Sequence, residues 1–400
     1  MMTHYITDAT KTRCDEKPGC PAWKTQVRMS IRTTILLVLL SSLLLCFLPS
    51  AFAAPVSGLH PPHYPLASSG KPTMAVTGGT LLWRYQLTSL IDSSPTVDNG
   101  VVYIGSGNGG YVYAFQATTG KLLWRTQTGI YIVCRPAVAN GVVYVGAGDG
   151  AVYALRASDG TILWRYQTQG QNGIASSPAV VNGVVYIGDY DQYVYALKAS
   201  NGSLLWRYKT GNEISSSPVV MKGVVYIGSE DDYVYALNAS TGKRLWRYQT
   251  GGFVNSSPTV VNGVVYVGSE DDYVYALTAA TGTLRWRYKT GNVVDSSPAV
   301  SKGIVYIGSA DYNVYALTAS TGTLRWRYQT GYYVQSSPTV VKGVVYVGSV
   351  DHYVYALNAS TGTLRWRYQT GSDIWYSSPT VVKGIVYIGS YDQYVYALSA

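Results

Sequence analysis

Phenylalanine, cysteine and histidine occur four times each in 400 residues, and charged residues make up only 13%. From residue 54 onward a single cysteine remains, Cys134, which excludes an intramolecular disulfide from that stretch. No His/Cys cluster has zinc spacing and no P-loop is present. The glycine-rich run Gly105–Gly110 joins two strand-like segments instead of opening a helix, so it lacks the setting of a dinucleotide loop. Beyond residue 76 the one histidine is His352, beside Asp351. No serine is spaced to be its nucleophile, and it reads as a solvated turn residue. Metal-dependent, nucleotide-binding and triad-type enzymes therefore lose their usual sequence support.

Repetition is what the chain has instead. A tryptophan recurs at Trp83, Trp124, Trp164, Trp206, Trp246, Trp286, Trp326 and Trp366, at spacings of 40 to 42 residues. A fixed period near 40 marks a unit that cannot bury its own apolar face and must stack on its neighbours. Within one unit, VVYVGS and YVYAL alternate with the two-residue rhythm of strands and flank a Gly-Ser-x-Asp turn. SSPTVV and TLRWRYQT supply two more strands, bounded by Lys-Gly and Thr-Gly turns. The fold class expected is all-β: an eight-bladed β-propeller of four-stranded antiparallel blades, closed by an N-terminal outer strand. Closure is expected because the repeats open with a lone outer strand, Thr80 to Leu87, and stop after a third strand ending at Ala397-Leu398.

Three domains follow. Residues 1–53 carry the basic residues Lys24, Arg28 and Arg32, the apolar run Ile35 to Leu48, and the small-x-small site Ala51-Phe52-Ala53. That order is a signal peptide or a membrane anchor, and the run is shorter than the ~20 residues a spanning helix needs. Met29 would serve as an ordinary signal start, which leaves the preceding residues as a mis-assigned lead or a cytoplasmic extension. Residues 54–76 form a Pro-rich linker, and residues 77–400 the propeller. The expected localisation is extracytoplasmic, secreted or tied to the cell envelope, with residues 35–54 as the tether if uncleaved.

The runs Ala236–Trp246 (ALNASTGKRLW) and Ala356–Trp366 (ALNASTGTLRW) resemble the tryptophan-docking motif of pyrroloquinoline-quinone-type (PQQ-like) propeller repeats. The resemblance spans residues 77 to 400. It implies that each repeat tryptophan docks on a neighbouring blade, the role expected of all eight named above. Such repeats occur in quinone-dependent dehydrogenases, in the lipoprotein of outer-membrane barrel assembly and in non-catalytic extracellular domains. This chain departs from the family where an aspartate often stands, carrying Gln116, Arg156, Lys198, Asn238, Thr278, Thr318 and Asn358.

Comparison among the chain's own repeats separates scaffold from site. Asn-Gly or Lys-Gly and Ala-Ser-Thr-Gly turns hardly vary, whereas the connections entering each Ser-Ser-Pro and the turns after each Gly-Ser vary strongly. Variable loops on a rigid scaffold are where binding resides. Sixteen of the 18 acidic residues beyond residue 54 fall on this variable face. The binding face is expected to comprise Glu213, Glu230, Asp232, Phe253, Glu270, Asp272, Asp295, Tyr333, Trp375 and Tyr376. Aspartates of the Gly-Ser-x-Asp turns themselves read as turn residues. The partner expected is a protein or polymer ligand on the acidic face, with the ring acting as a monomer. Nucleic acid is not expected despite a pI near 9.1, because the basic residues are spread along outer strands. The functional reading is a non-catalytic binding or assembly scaffold with no cofactor. The alternative, from the resemblance, is a quinone- or sugar-binding protein or a PQQ-dependent dehydrogenase holding the quinone with calcium.

Overall fold

The computed structural model describes residues 78–170 and 173–400, so the readings of a signal or anchor and of a linker lie outside the described residues. The described residues belong to one compact unit. It opens with β1 (Leu81–Gln86), and the first full sheet follows as β2 (Thr96–Asp98), β3 (Val101–Gly105), β4 (Tyr111–Gln116) and β5 (Leu122–Gln127). Residues 137–369 repeat that sheet six times. The last sheet takes β30 (Thr380–Val382), β31 (Ile385–Gly389) and β32 (Tyr394–Ser399) from the C-terminus and β1 from the start. All pairings are antiparallel, and the closing pair sets Trp83 opposite Ala397 and Tyr85 opposite Val395. The described residues therefore form an eight-bladed all-β propeller, and we number its blades 1 (β2–β5) to 8 (β30–β32 with β1).

Local chemistry accounts for the turns. In each hairpin between the first two strands both central residues have positive φ, as at Asn262 (50°) and Gly263 (74°), which is the type I′ geometry whose twist suits a two-residue hairpin. Lysine takes the first of these positions at Lys222, Lys302, Lys342 and Lys383. At the Thr-Gly turn a second constraint acts: a Cβ on Gly282 would lie 2.7 Å from the ring of Trp246, at φ +73°. Only glycine lets the turn of one blade lie on the tryptophan of the blade before it.

Eight buried apolar clusters hold the ring, one at each junction of neighbouring blades, including the junction of blade 8 with blade 1. Two side chains of one blade converge on a single carbonyl of the next. Trp246 Nε1 and the Tyr226 hydroxyl donate to Ala279 O at 2.9 and 3.1 Å, filling both lone pairs of a buried acceptor. The closing junction repeats this, with Trp83 and Tyr387 donating to Ala117 O at 2.8 and 3.0 Å. Trp124, Trp164, Trp206, Trp286 and Trp326 make the same bond to the following blade, and Trp366 packs beside Ala400. Where the repeat departs from the family's aspartate, Asn238 Oδ1 accepts from the Ser240 and Thr241 backbones at 3.0 Å each, so asparagine closes that turn.

Candidate functional site

The variable face is built on a staple that the repeat supplies. Asp231 Oδ2 accepts from Gly211 N (2.6 Å) and the Tyr235 hydroxyl (2.6 Å), and Oδ1 from Tyr233 N (3.2 Å). Its turn is thereby tied to the connection that enters the same blade, a reach beyond the turn's own hydrogen bonding. Asp271, Asp311, Asp351 and Asp392 do the same. Behind the connection sits a buried aliphatic residue, Ile91, Ile132, Ile174, Ile214, Val254, Val294, Val334 or Ile374, each 0% exposed. In blade 8 that place belongs to Ile374 and not to Trp375, because this connection is one residue longer. Counting back from Ser-Ser-Pro along the sequence puts Trp375 at the constant apolar position and Ile374 at the variable one before it; that count slips by one here, and Asp373 takes the variable position, its carbonyl accepting from Tyr391 N as that of Tyr333 does from Val350 N.

Around the channel mouth the residues preceding Ser-Ser-Pro form a polar ring. Gln335 Nε2 donates to Asp295 Oδ2 across two blades (3.1 Å). Asn255 Nδ2 donates to Glu270 Oε1 (2.8 Å) and Ser215 Oγ to Glu230 Oε1 (2.8 Å). Tyr391 donates to Asp92. Burial pushes Asp92 up to about 6 and, with the Asp191 charge adding, Asp189 up to about 7. Burial raises Asp295 as well, against the hydrogen bonds of Gln335 and Asn255. Asp92 Oδ1, Asn255 Oδ1, Asp295 Oδ1 and Gln335 Oε1 are covered and have no hydrogen-bond partner among the described residues.

Of the residues singled out in the sequence, the structure brings two groups together. Glu230, Glu270 and Asp295 turn into the mouth, with Glu230 only 6% exposed. Glu213 and Phe253 stand beside them on the rim, their carbonyls accepting from Glu230 N and Glu270 N at 2.9 Å. Asp232 and Asp272 form left-handed corners (φ 69° and 71°) whose carbonyls receive Thr250 and Thr290. The second group is aromatic: Tyr333 and Trp375 lie 6.3 Å apart between ring centroids, and Trp375 and Tyr376 likewise. Tyr332 and Tyr312 stack beside Tyr333 (5.1 Å between their own centroids), with Tyr332 41% exposed. His352 Nε2 meets Asp373 Oδ1 at 2.7 Å, and Asp373 Oδ2 accepts from Trp375 Nε1 at 3.0 Å. His352 thus orders the aromatic rim.

Sequence reading passed over Tyr190, Tyr391, Asp189 and Arg135. The first two occupy the repeat position that holds Glu230 and Glu270, so the signal was present but was followed only for acids. Cys134 is buried, its sulfur accepting from Gly146 N at 3.3 Å where serine does so elsewhere, and burial pushes its thiol up to about 12. A thiol in that state is no nucleophile.

A quinone with its calcium needs an open slot lined by metal ligands. Here one oxygen each of Asp92, Asn255, Asp295 and Gln335 is turned away from solvent, and no group of three or more His, Cys, Asp or Glu among the described residues is placed to hold a metal. The residues present do not fit that cofactor.

Fold and repeat define the class first: a PQQ-like eight-bladed propeller. A family model described as "Outer membrane protein assembly factor BamB" matches residues 73–213, 190–332 and 271–400, and the chain belongs to that family. Among solved structures it is similar to BamB from Moraxella catarrhalis, at 19% identity and TM-score 0.69 over 80% of this chain and 100% of that one. The computationally designed Ika8 protein gives 19% identity and TM-score 0.72 over 81% and 100%. Quinohemoprotein alcohol dehydrogenase from Comamonas testosteroni gives 17% and 0.68 over 80% and 76%. At such identities the likeness is one of fold. No curated protein matches the chain.

Proposed function

We propose that the chain is a non-catalytic binding or assembly scaffold that works outside the cytoplasm as a single ring and takes a protein or polymer partner on its variable face. Membership in a family named for an assembly factor supports this reading. The observation that carries it is the aromatic rim of Tyr312, Tyr332, Tyr333 and Trp375 beside the acid-bearing connections of blades 4 to 6. Large rings with little conformational entropy to lose, placed next to a cluster of carboxylates, are what a contact surface for a cationic partner needs. The opposite face repeats the same turns in every blade.

A photo-cross-linking residue at Tyr332 should capture a partner in cells that express the chain, and one at Lys342 on the opposite face should not. Combining the Tyr332 probe with Tyr333→Ser and Trp375→Ser should abolish the adduct while leaving the melting temperature within a few degrees. Equal capture from both faces, or capture indifferent to the two substitutions, would contradict the assignment.

A further inference from the structure

We propose that the central channel holds an oxyanion, a phosphate or carboxylate group, on Arg135, admitted from the face opposite the variable one. This goes beyond the scaffold reading and uses none of its residues. Blade by blade, the second serine of Ser-Ser-Pro links the ring: the Ser177, Ser217, Ser257, Ser297, Ser337 and Ser378 backbones donate to the hydroxyls of Ser217, Ser257, Ser297, Ser337, Ser378 and Ser94, at 2.8–2.9 Å. Blade 2 reads Cys-Arg-Pro, and Arg135 stands in the serine's place. Its own N–H still donates to Ser177 Oγ at 2.9 Å.

Where the side chain goes is decided by its partners. Nε donates to Thr96 Oγ1 (3.1 Å) in blade 1, and Nη2 to Thr380 Oγ1 (2.8 Å) in blade 8. Both threonines begin innermost strands. A residue of blade 2 that reaches blade 8 across blade 1 must lie along the channel wall. Both threonine hydroxyls are already spent as donors, to Pro136 O and Pro95 O at 2.5 Å each, so they accept from Arg135 and fix its plane.

The guanidinium has five N–H groups, and two are used. No carboxylate is paired with it: its hydrogen bonds run to the two threonine hydroxyls, and none of the ion pairs Arg156–Asp159, Arg165–Asp149 and His352–Asp373 involves it. Exposed in the channel and without a counter-charge, the guanidinium is open to a solute anion. Its residual N–H groups form the planar fork that pairs with two oxygens of one carboxylate or phosphate.

Entry is supplied by the opposite face. The turns that end the innermost strands carry Lys222, Lys302, Lys342 and Lys383, all exposed, in blades 4, 6, 7 and 8, and Asn99, Asn140, Asn182 and Asn262 at the same position in the remaining blades. Four lysines grouped on one side of that opening draw anions toward it.

Inorganic phosphate, added at constant ionic strength against sodium chloride, is the probe, read by thermal melting and by titration calorimetry of the purified protein. Wild type should show a saturable rise in melting temperature and measurable heat. Arg135→Ser restores the residue that seven other blades carry, so it should fold, and it should lose phosphate affinity at least tenfold. Arg135→Lys keeps the charge without the fork and should fall several-fold short of wild type. Acetate in place of phosphate distinguishes the two oxyanion classes: saturation by both assigns a carboxylate-tolerant site, and by phosphate alone a phosphate site. An equal rise in Arg135→Ser would overturn the proposal, as would no effect in wild type at tens of millimolar.

Discussion

Tyrosine outnumbers phenylalanine 38 to 4, and the hydroxyls explain why. Tyr226 needs its hydroxyl for the next blade's carbonyl, Tyr235 for the Asp231 staple, and the ring of Tyr233 carries Arg247 at 4.3 Å. Tyr226→Phe removes one buried bond and should cost roughly 1 kcal/mol in urea unfolding. Asp92 makes a sharper prediction. Its carboxyl, raised from 3.8 to about 6, binds its proton more tightly folded than unfolded. Stability from this group is therefore complete below about pH 4 and is lost as pH rises through 6. Two pH units correspond to roughly 3 kcal/mol. Asp92→Asn should flatten the fall in melting temperature between pH 4 and 6.5 and be the more stable protein at pH 7.5; an unchanged slope would contradict the burial of this charge.

Among the elements, strands and turns were legible because alternation, Asn-Gly pairs and the tryptophan period are local signals repeated many times over. The mouth was not. Glu230 reads as a surface acid by composition, yet the turn that holds it folds back onto Ser215, a contact across 15 residues that no periodicity marks. Blade 8 was misread by one residue for a related reason: an insertion is invisible when positions are counted from a fixed Ser-Ser-Pro, and only burial of Ile374 against Gly348 restores the register. The docking tryptophan belongs to this scale too. Trp246→Ala would empty the space between blades 4 and 5 and orphan one bond to Ala279, and should lower stability by roughly 3–5 kcal/mol in denaturant titration. Trp246→Phe should recover most of the packing but not the hydrogen bond.

For the whole molecule, eight near-identical units raise the question of where symmetry breaks, since a perfect ring offers eight equal sites and no address. It breaks at the variable face, by acids on blades 4 to 6 and aromatics on blades 6 to 8, and inside the channel at Arg135. The family likeness reaches both an assembly factor and a quinohemoprotein, so fold alone leaves catalysis open, and the lack of a metal-ligand cluster among the described residues is what weighs between the two readings. Calorimetric titration of the protein with pyrroloquinoline quinone, with and without calcium, tests that claim most directly. A scaffold without that ligand set gives no heat of binding at high ligand concentration under either condition. Tight, calcium-dependent binding would contradict it and make the mouth a cofactor site.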